Sequence, residues 1–365
     1  MAERVELDEA IIPASLEGPG AEDFREMVEV RNAIEAEAIG SDEFSPTAEE
    51  LLPAWRNTVD EPKRLLLART DGRIVGRGVI ELPVETGSPT AFVSVEVLPD
   101  YRDAGIGTAL LERLERWAAE ADRTVLKAFV AHGPFRGGPE LRPPTGFGAV
   151  AANAPEVRFA TARGYRLEQI ERMSRLDVGE TAPLLVSARD DASRRAEGYS
   201  LHTAAGPVPE SWLNDMVDLQ QRMSTDAPVA GMDLDEEIWD AARVRRMERD
   251  RQDGGRLGLT TVARHDASGR LVAFTELLVP ADRRRPVVQE STLVVREHRG
   301  RRLGMLVKAA NLIALRDVSP ASRVVTTFNA EENRPMLDVN EALGFRPVGA
   351  EGGWRKDLRA TALTP

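Results

Sequence analysis

The chain contains no cysteine. That excludes disulfides, thiolate-held metals and a cysteine nucleophile. Histidine is almost as scarce. The four present, His132, His202, His265 and His298, are scattered without the spacing of a metal site. Lysine occurs only at Lys63, Lys127, Lys308 and Lys356, so arginine supplies the other 44 of 48 basic residues. No apolar run approaches the roughly 20 residues that a membrane span needs. Residues 1–6 lack the basic-then-apolar pattern of a secretory signal. These absences predict no membrane partner and a cytoplasmic location. Positive charge is also in deficit. The formal net charge is −12, which argues against nucleic acid as a partner and is compatible with a cationic one.

The 365 residues, 42% hydrophobic and 30% charged, suffice for two domains of roughly 180 residues each. One order of elements is readable twice. In the first pass, helical spacing covers 21–38 and 47–56, strands cover 65–68 and 74–82 around the Asp71-Gly72 turn, and a further strand covers 91–98. A helix follows over 105–121, then a strand over 124–130, a short helix over 153–162 and strands from 165 to 176. In the second pass the helices fall at 209–223 and 235–250, and the strands at 257–264, 271–279 and 287–295. A helix over 303–316, a strand over 324–328, a helix over 334–343 and a last strand complete the repeat. The segment 179–198 is charged and polar and reads as the linker. A Gly/Pro-rich stretch over 132–148 is an insertion in the first copy.

The most informative motif is also doubled. Arg102-Asp-Ala-Gly105-Ile-Gly107-Thr108 and Arg299-Gly300-Arg-Arg302-Leu-Gly304-Met305 each follow a strand and open a helix. Such a turn exposes backbone N–H groups, glycine permits close approach, and the helix N-terminus adds positive potential. The combination is a cradle for a pyrophosphate. The second copy has Arg302 where the first has Gly105, and the first has Asp103 where the second has Gly300.

With the strand before each turn, and with Asn153…Gly164-Tyr165 and Asn333…Gly344-Phe345 at equal spacing, the chain resembles the GNAT N-acyltransferase superfamily, twice over. The resemblance implies an α/β protein of two tandem GNAT domains, each a mixed, splayed sheet flanked by helices. Their expected extents are 1–180 and 199–365, with 181–198 between them. It implies acetyl-CoA as cosubstrate and a small-molecule amine as acceptor, with the chain a monomer or homodimer. The cofactor contacts it implies are Val97, Arg102, Gly105, Gly107 and Thr108 in the first repeat. In the second they are Val294, Val295, Arg299, Gly300, Arg302, Gly304, Met305 and Asn333. Pantetheine in this family pairs with the central strand's backbone as an added strand.

Acetyl transfer to an amine needs a proton acceptor and, later, a proton for the thiolate. The family's late-helix tyrosine, the usual proton donor, is replaced by Ala160 and Asn340. Solvent or a different group then supplies that proton, while Asn340 retains the capacity to hydrogen-bond sulfur. For the base, Glu290 and Glu276 lead, as carboxylates inside apolar strands of the second repeat. Glu96 is the first repeat's counterpart in kind, and each could instead face water. Asp226, in the connection after the second repeat's first helix, is the expected substrate-binding carboxylate. Its alternative is a turn or cap. These features favour the second repeat as the catalytic one. The doubled architecture is similar to that of the mycothiol synthases, which leaves that acceptor chemistry open. The two missing tyrosines also leave open a non-catalytic acyl-CoA sensor or scaffold.

Overall fold

The computed structural model describes residues 5–226 and 228–358. The first repeat runs β1 (Glu6–Glu9), α1 (Ala21–Ile39), α2 (Ala48–Arg56), β2 (Lys63–Thr70), β3 (Arg73–Glu81), β4 (Thr90–Val97), α3 (Ile106–Glu120) and β5 (Val125–His132). A small hairpin, β6 (Glu140–Leu141) and β7 (Val150–Ala151), occupies the insertion, and α4 (Pro155–Ala162) and β8 (Arg166–Asp177) follow. The expected linker is instead a helix, α5 (Ala182–Ser193). Leu185 and Ala192 on it are fully buried and join the second unit's core. Its charge run is the helix's wet face.

The second repeat contains β9 (Tyr199–Ala205), α6 (Leu213–Asp226), α7 (Ala241–Asp253), β10 (Leu257–His265), β11 (Leu271–Val279) and β12 (Val287–Val294). It closes with α8 (Leu303–Val318), β13 (Val324–Ala330), α9 (Arg334–Leu343) and β14 (Arg346–Asp357). No described helix is long and apolar enough to cross a membrane.

The compact units are not the two halves of the chain. The first comprises 1–171, 229–235 and 349–365; the second comprises 172–228 and 236–348. The expected division at 181–198 is corrected accordingly. In the first unit the strands run β1-β2-β3-β4-β5-β14. The far end of β14 pairs antiparallel with β5 from Ala350↔His132 to Asp357↔Val125. The last strand of the second repeat therefore completes the first unit's sheet. Residues 229–235 are held there by Lys127 Nζ, which donates to the Asp233 carbonyl at 2.7 Å, and by Ser88 Oγ on Asp235 at 2.6 Å.

Two cores sandwich the first unit's sheet. Phe24, Met27, Leu52 and Trp55 of α1 and α2 pack on Leu65 and Leu67. Leu110, Leu114 and Trp117 of α3 pack with Val157 and Trp354. In the second unit the strands run β8-β13-β12-β11-β10-β9. Every residue of its central strand β11 is buried, as expected of a strand covered on both faces.

Candidate active site

In each unit the strand before the turn is parallel to its neighbour only briefly. β4 pairs with β5 at Thr90↔Val125 through Phe92↔Lys127, and β12 with β13 at Val287↔Val325 through Gln289↔Thr327. Beyond those pairs the strands part, leaving one backbone edge of β4 and of β12 open.

The ladder phase says which groups face the opening. Leu98 N–H donates to the Val75 carbonyl and Val295 N–H to that of Val272, both at 2.9 Å. Only alternate residues of an antiparallel pair bond the same neighbour. Val97 and Val294 therefore turn their peptides to the opening. Val295 is removed from the expected contacts, since its N–H is used in the sheet and its carbonyl accepts from His298 N–H.

The two turns share one backbone despite their different residues. Asp103 and Gly300 have φ of 60° and 81°, and Gly105 and Arg302 have φ of 83° and 57°. Each turn thus has two left-handed positions, one glycine and one not. A side chain at the left-handed position costs on the order of 1 kcal/mol or more, and Arg302 accepts that cost without changing the turn. Added Cβ atoms on Gly105 and Gly300 would meet nothing within 4 Å, so neither turn is covered at that position. Gly107 differs from Gly304. Its Cβ would lie 3.3 Å from the Phe159 ring, whereas that of Gly304 would meet only Val294, at 3.7 Å.

The expected arginine contacts are corrected. Arg102 Nε donates to the Val97 carbonyl and Arg299 Nε to the Val294 carbonyl, each at 3.0 Å. Their remaining nitrogens hold carboxylates of the unit's first helix: Arg102 pairs with Glu37, and Arg299 donates to Asp226 at 2.8 Å. Each arginine ties turn to strand and helix. Asp226, the expected substrate carboxylate, is thus held in this tie at the end of α6. Ala227 lies outside the described residues.

Three further residues expected at the cofactor have structural partners. Met305 is buried in the second core. Asn333 caps α9, its side chain accepting from Met336 N–H. Thr108 Oγ1 accepts from Arg163. That guanidinium, which lies 5.7 Å from the Phe159 ring, is the cation that sequence reasoning missed beside the first cradle.

The three predicted catalytic residues part company. Glu276 is buried and saturated, accepting from Gln220 at 3.0 Å and Thr260 at 3.4 Å and pairing with Arg251 at 3.2 Å. It is a structural ion pair, which corrects its role as base. Burial works against the Arg251 charge, yet Glu276 and Glu290 together hold its pKa above the ordinary value. Glu290 is exposed, at an irregularity where Thr275↔Thr292 is followed by Leu277↔Gln289. The Gln289 amide fills that irregularity, donating to the Glu276 carbonyl at 2.7 Å. Asn340 Nδ2 donates to Asn329 Oδ1 at 2.6 Å, while its own buried Oδ1 has no partner among the described residues. Glu96 is not at the register of Glu290. It lies opposite Arg77 in the β3–β4 ladder and is ion-paired to it.

Sequence reasoning also missed carboxylates of the first unit. His132 Nδ1 lies 2.8 Å from Glu156. Burial opposes ionisation of Glu156, but the hydrogen bond to His132 and one to its own backbone N–H hold its carboxyl below the ordinary range. His132 Nε2 is closed off, because a Cβ on Gly352 would fall 2.9 Å from it. The pair is a structural tie. Glu35 and Glu351 behave oppositely, since burial pushes both carboxyls up, Glu351 to about 8. Among the described residues no group of three potential ligands could hold a metal.

Comparison with known proteins agrees with this geometry. Residues 27–133 match the model of the Acetyltransferase (GNAT) family. A tandem GNAT protein from the clavulanic acid biosynthesis pathway is 28% identical, with a TM-score of 0.73 over 97% of this chain and 99% of its own. A GCN5-related N-acetyltransferase from Sphaerobacter thermophilus is 16% identical, with a TM-score of 0.61, covering 97% of this chain and 96% of its own. A putative acetyltransferase from Pyrococcus horikoshii is 14% identical, with a TM-score of 0.52 over 97% and 89%. No curated protein matches.

Proposed function

We propose, on the premise that this chain is a tandem member of the GNAT acetyltransferase family, that it transfers an acetyl group from acetyl-CoA to a small-molecule amine. The observation that carries this reading is the pair of open left-handed turns, each at the foot of a parted strand pair. The backbone N–H groups of residues 103–108 and 300–305 would receive the pyrophosphate. The N–H groups of Val97 and Val294, whose carbonyls accept from Arg102 and Arg299, would pair with the pantetheine arm. Acetyl-CoA supplies an activated acyl group, and what the protein adds is placement, exclusion of water and a proton acceptor. In the second unit the carboxylate available for that task is Glu290; the Asn340 Oδ1, without a partner among the described residues, would accept from the thiol. The acidic balance of the chain supports a cationic acceptor.

A ligand that binds only the native state stabilises it by mass action, by about 2.7 kcal/mol at one hundred times its Kd. Millimolar acetyl-CoA is therefore expected to raise Tm, and calorimetry to register binding. A flat Tm together with no heat of binding would remove this reading.

A further inference from the structure

Glu351 sits where the first unit's strands part. On β14 it lies opposite Ala131 of β5, beyond Lys127, the last β5 residue paired to β4. α1 lies across the same region, since a Cβ on Gly133 would fall 2.7 Å from the Ala38 carbonyl. Glu35 of α1 interacts electrostatically with Glu96 on β4 and with Glu351 on β14, so carboxylates line the opening from one strand to the other. Two of them are neutralised: Glu96 pairs with Arg77, and Glu35 with Arg31. Glu351 makes no hydrogen bond or ion pair among the described residues. The charged groups that it meets are Glu171 of β8 and Glu35 and Arg31 of α1.

The backbone around Glu351 is fixed. A side chain on Gly352 would come within 2.8 Å of Trp354 Nε1, and one on Gly353 within 3.0 Å of Met232 Sδ. A carboxyl on a clamped strand, without a partner and raised by burial towards neutral pH, has the properties of a general base. An ordinary structural carboxylate at such a place would be paired, as Glu276 is.

We infer that Glu351, delivered by the last strand of the second repeat, is the catalytic base of the first unit, acting on a cationic amine drawn to the carboxylates around it. This rests on the acyltransferase reading. The bound ammonium first gives a proton to solvent. The amine nitrogen then bonds to the acyl carbon as the acyl–sulfur bond breaks. One N–H proton passes to the Glu351 carboxylate and from there to the departing sulfur. The products are the N-acetyl amine and the free thiol, and no further reactant is consumed.

The test is amine-dependent release of CoA as a function of pH by the wild type, Glu351→Gln, Glu290→Gln and the double variant, with acetyl-CoA affinity measured separately by calorimetry. With the second unit silenced by Glu290→Gln, adding Glu351→Gln is expected to cost about 100-fold or more in kcat. Glu351→Gln alone is expected to bind acetyl-CoA as the wild type does and to lose the first unit's rise in rate through about pH 8. It should also melt no lower at pH 8. The carboxyl is raised in the folded state, so it penalises folding as pH climbs from the ordinary carboxylate range through about 8; the amide has no such penalty. A merely structural role would not combine lost turnover with retained stability and binding. If the glutamine variant fails to fold, Glu351→Asp must keep the pH rise at a lower rate; a flat profile in that variant overturns the assignment. A full rate and an unaltered profile in Glu351→Gln overturn it, as does loss of the pH rise in Glu290→Gln alone. Absence of acetyl-CoA binding by the wild type instead overturns the acyltransferase reading and the base with it.

Discussion

Replacing Lys308 by leucine is expected to stabilise the protein by several kcal/mol at pH 6. Lys308 is only 1% exposed, within α8, and its ammonium lies 5.5 Å from the centre of the Phe345 ring. It pairs with no carboxylate among the described residues, and burial lowers its pKa from 10.5 to about 7. The unfolded chain keeps the ordinary value, so between about pH 7 and 10 the native state binds fewer protons than the unfolded one. Stability therefore rises with pH through that window, and the penalty is full below it. A depression of this size corresponds to about 5 kcal/mol at roughly 1.4 kcal/mol per pH unit. The first repeat has Leu111 at the position 197 earlier, buried at 4%, so the fold already accepts leucine there. Urea unfolding of wild type and Lys308→Leu at pH 6 and pH 9.5 should show a large gain at the lower pH and a much smaller one at the higher. A loss at both would mean that the amine has a partner it needs.

The second large effect is on cofactor binding. Gly304→Glu is expected to weaken acetyl-CoA at the second turn by 100-fold or more. The helix N-terminus offers its N–H groups and positive potential to the pyrophosphate. A carboxylate there replaces attraction by repulsion between anions a few ångströms apart. Gly304 is the informative position because its Cβ has ordinary van der Waals room against Val294, so the fold should survive. At Gly107 the same substitution would also press on Phe159, mixing packing with electrostatics. Calorimetry should give two acetyl-CoA per wild-type chain and one per Gly304→Glu chain. Unchanged stoichiometry and affinity would mean that the second turn is not a cradle.

What was legible in the chain was local. The strand–turn–helix unit shows through its glycines and its apolar periodicity, and α3, β11, α8 and α9 lie within a residue or two of their predicted bounds. The twin turns were legible because backbone chemistry leaves a residue signature. The exchange of β14 was not, because pairing with β5 joins residues more than two hundred apart and an antiparallel edge carries no address for its partner. The same limit explains the site. Asp226 read as a substrate carboxylate or a turn or cap, because its partner Arg299 is distant in sequence. Glu276 read as costly for want of a visible partner, and Arg251 of α7 supplies one. Glu351 drew no attention between Ala350 and Gly352, because its isolation is a property of α1, β5 and β14 together. The polar run over 181–198 misled for a different reason. A helix needs only one apolar stripe, and in α5 Leu185 and Ala192 are enough.

The most direct measurement is acceptor-dependent release of free CoA from acetyl-CoA by the purified chain, screened across a panel of small cationic and neutral amines, with each product checked by mass. The account predicts release that requires an amine, adds one acetyl group to its nitrogen and favours cationic acceptors. Tight acetyl-CoA binding with no release above the solvent rate for any amine would contradict it and leave a sensor in place of an enzyme.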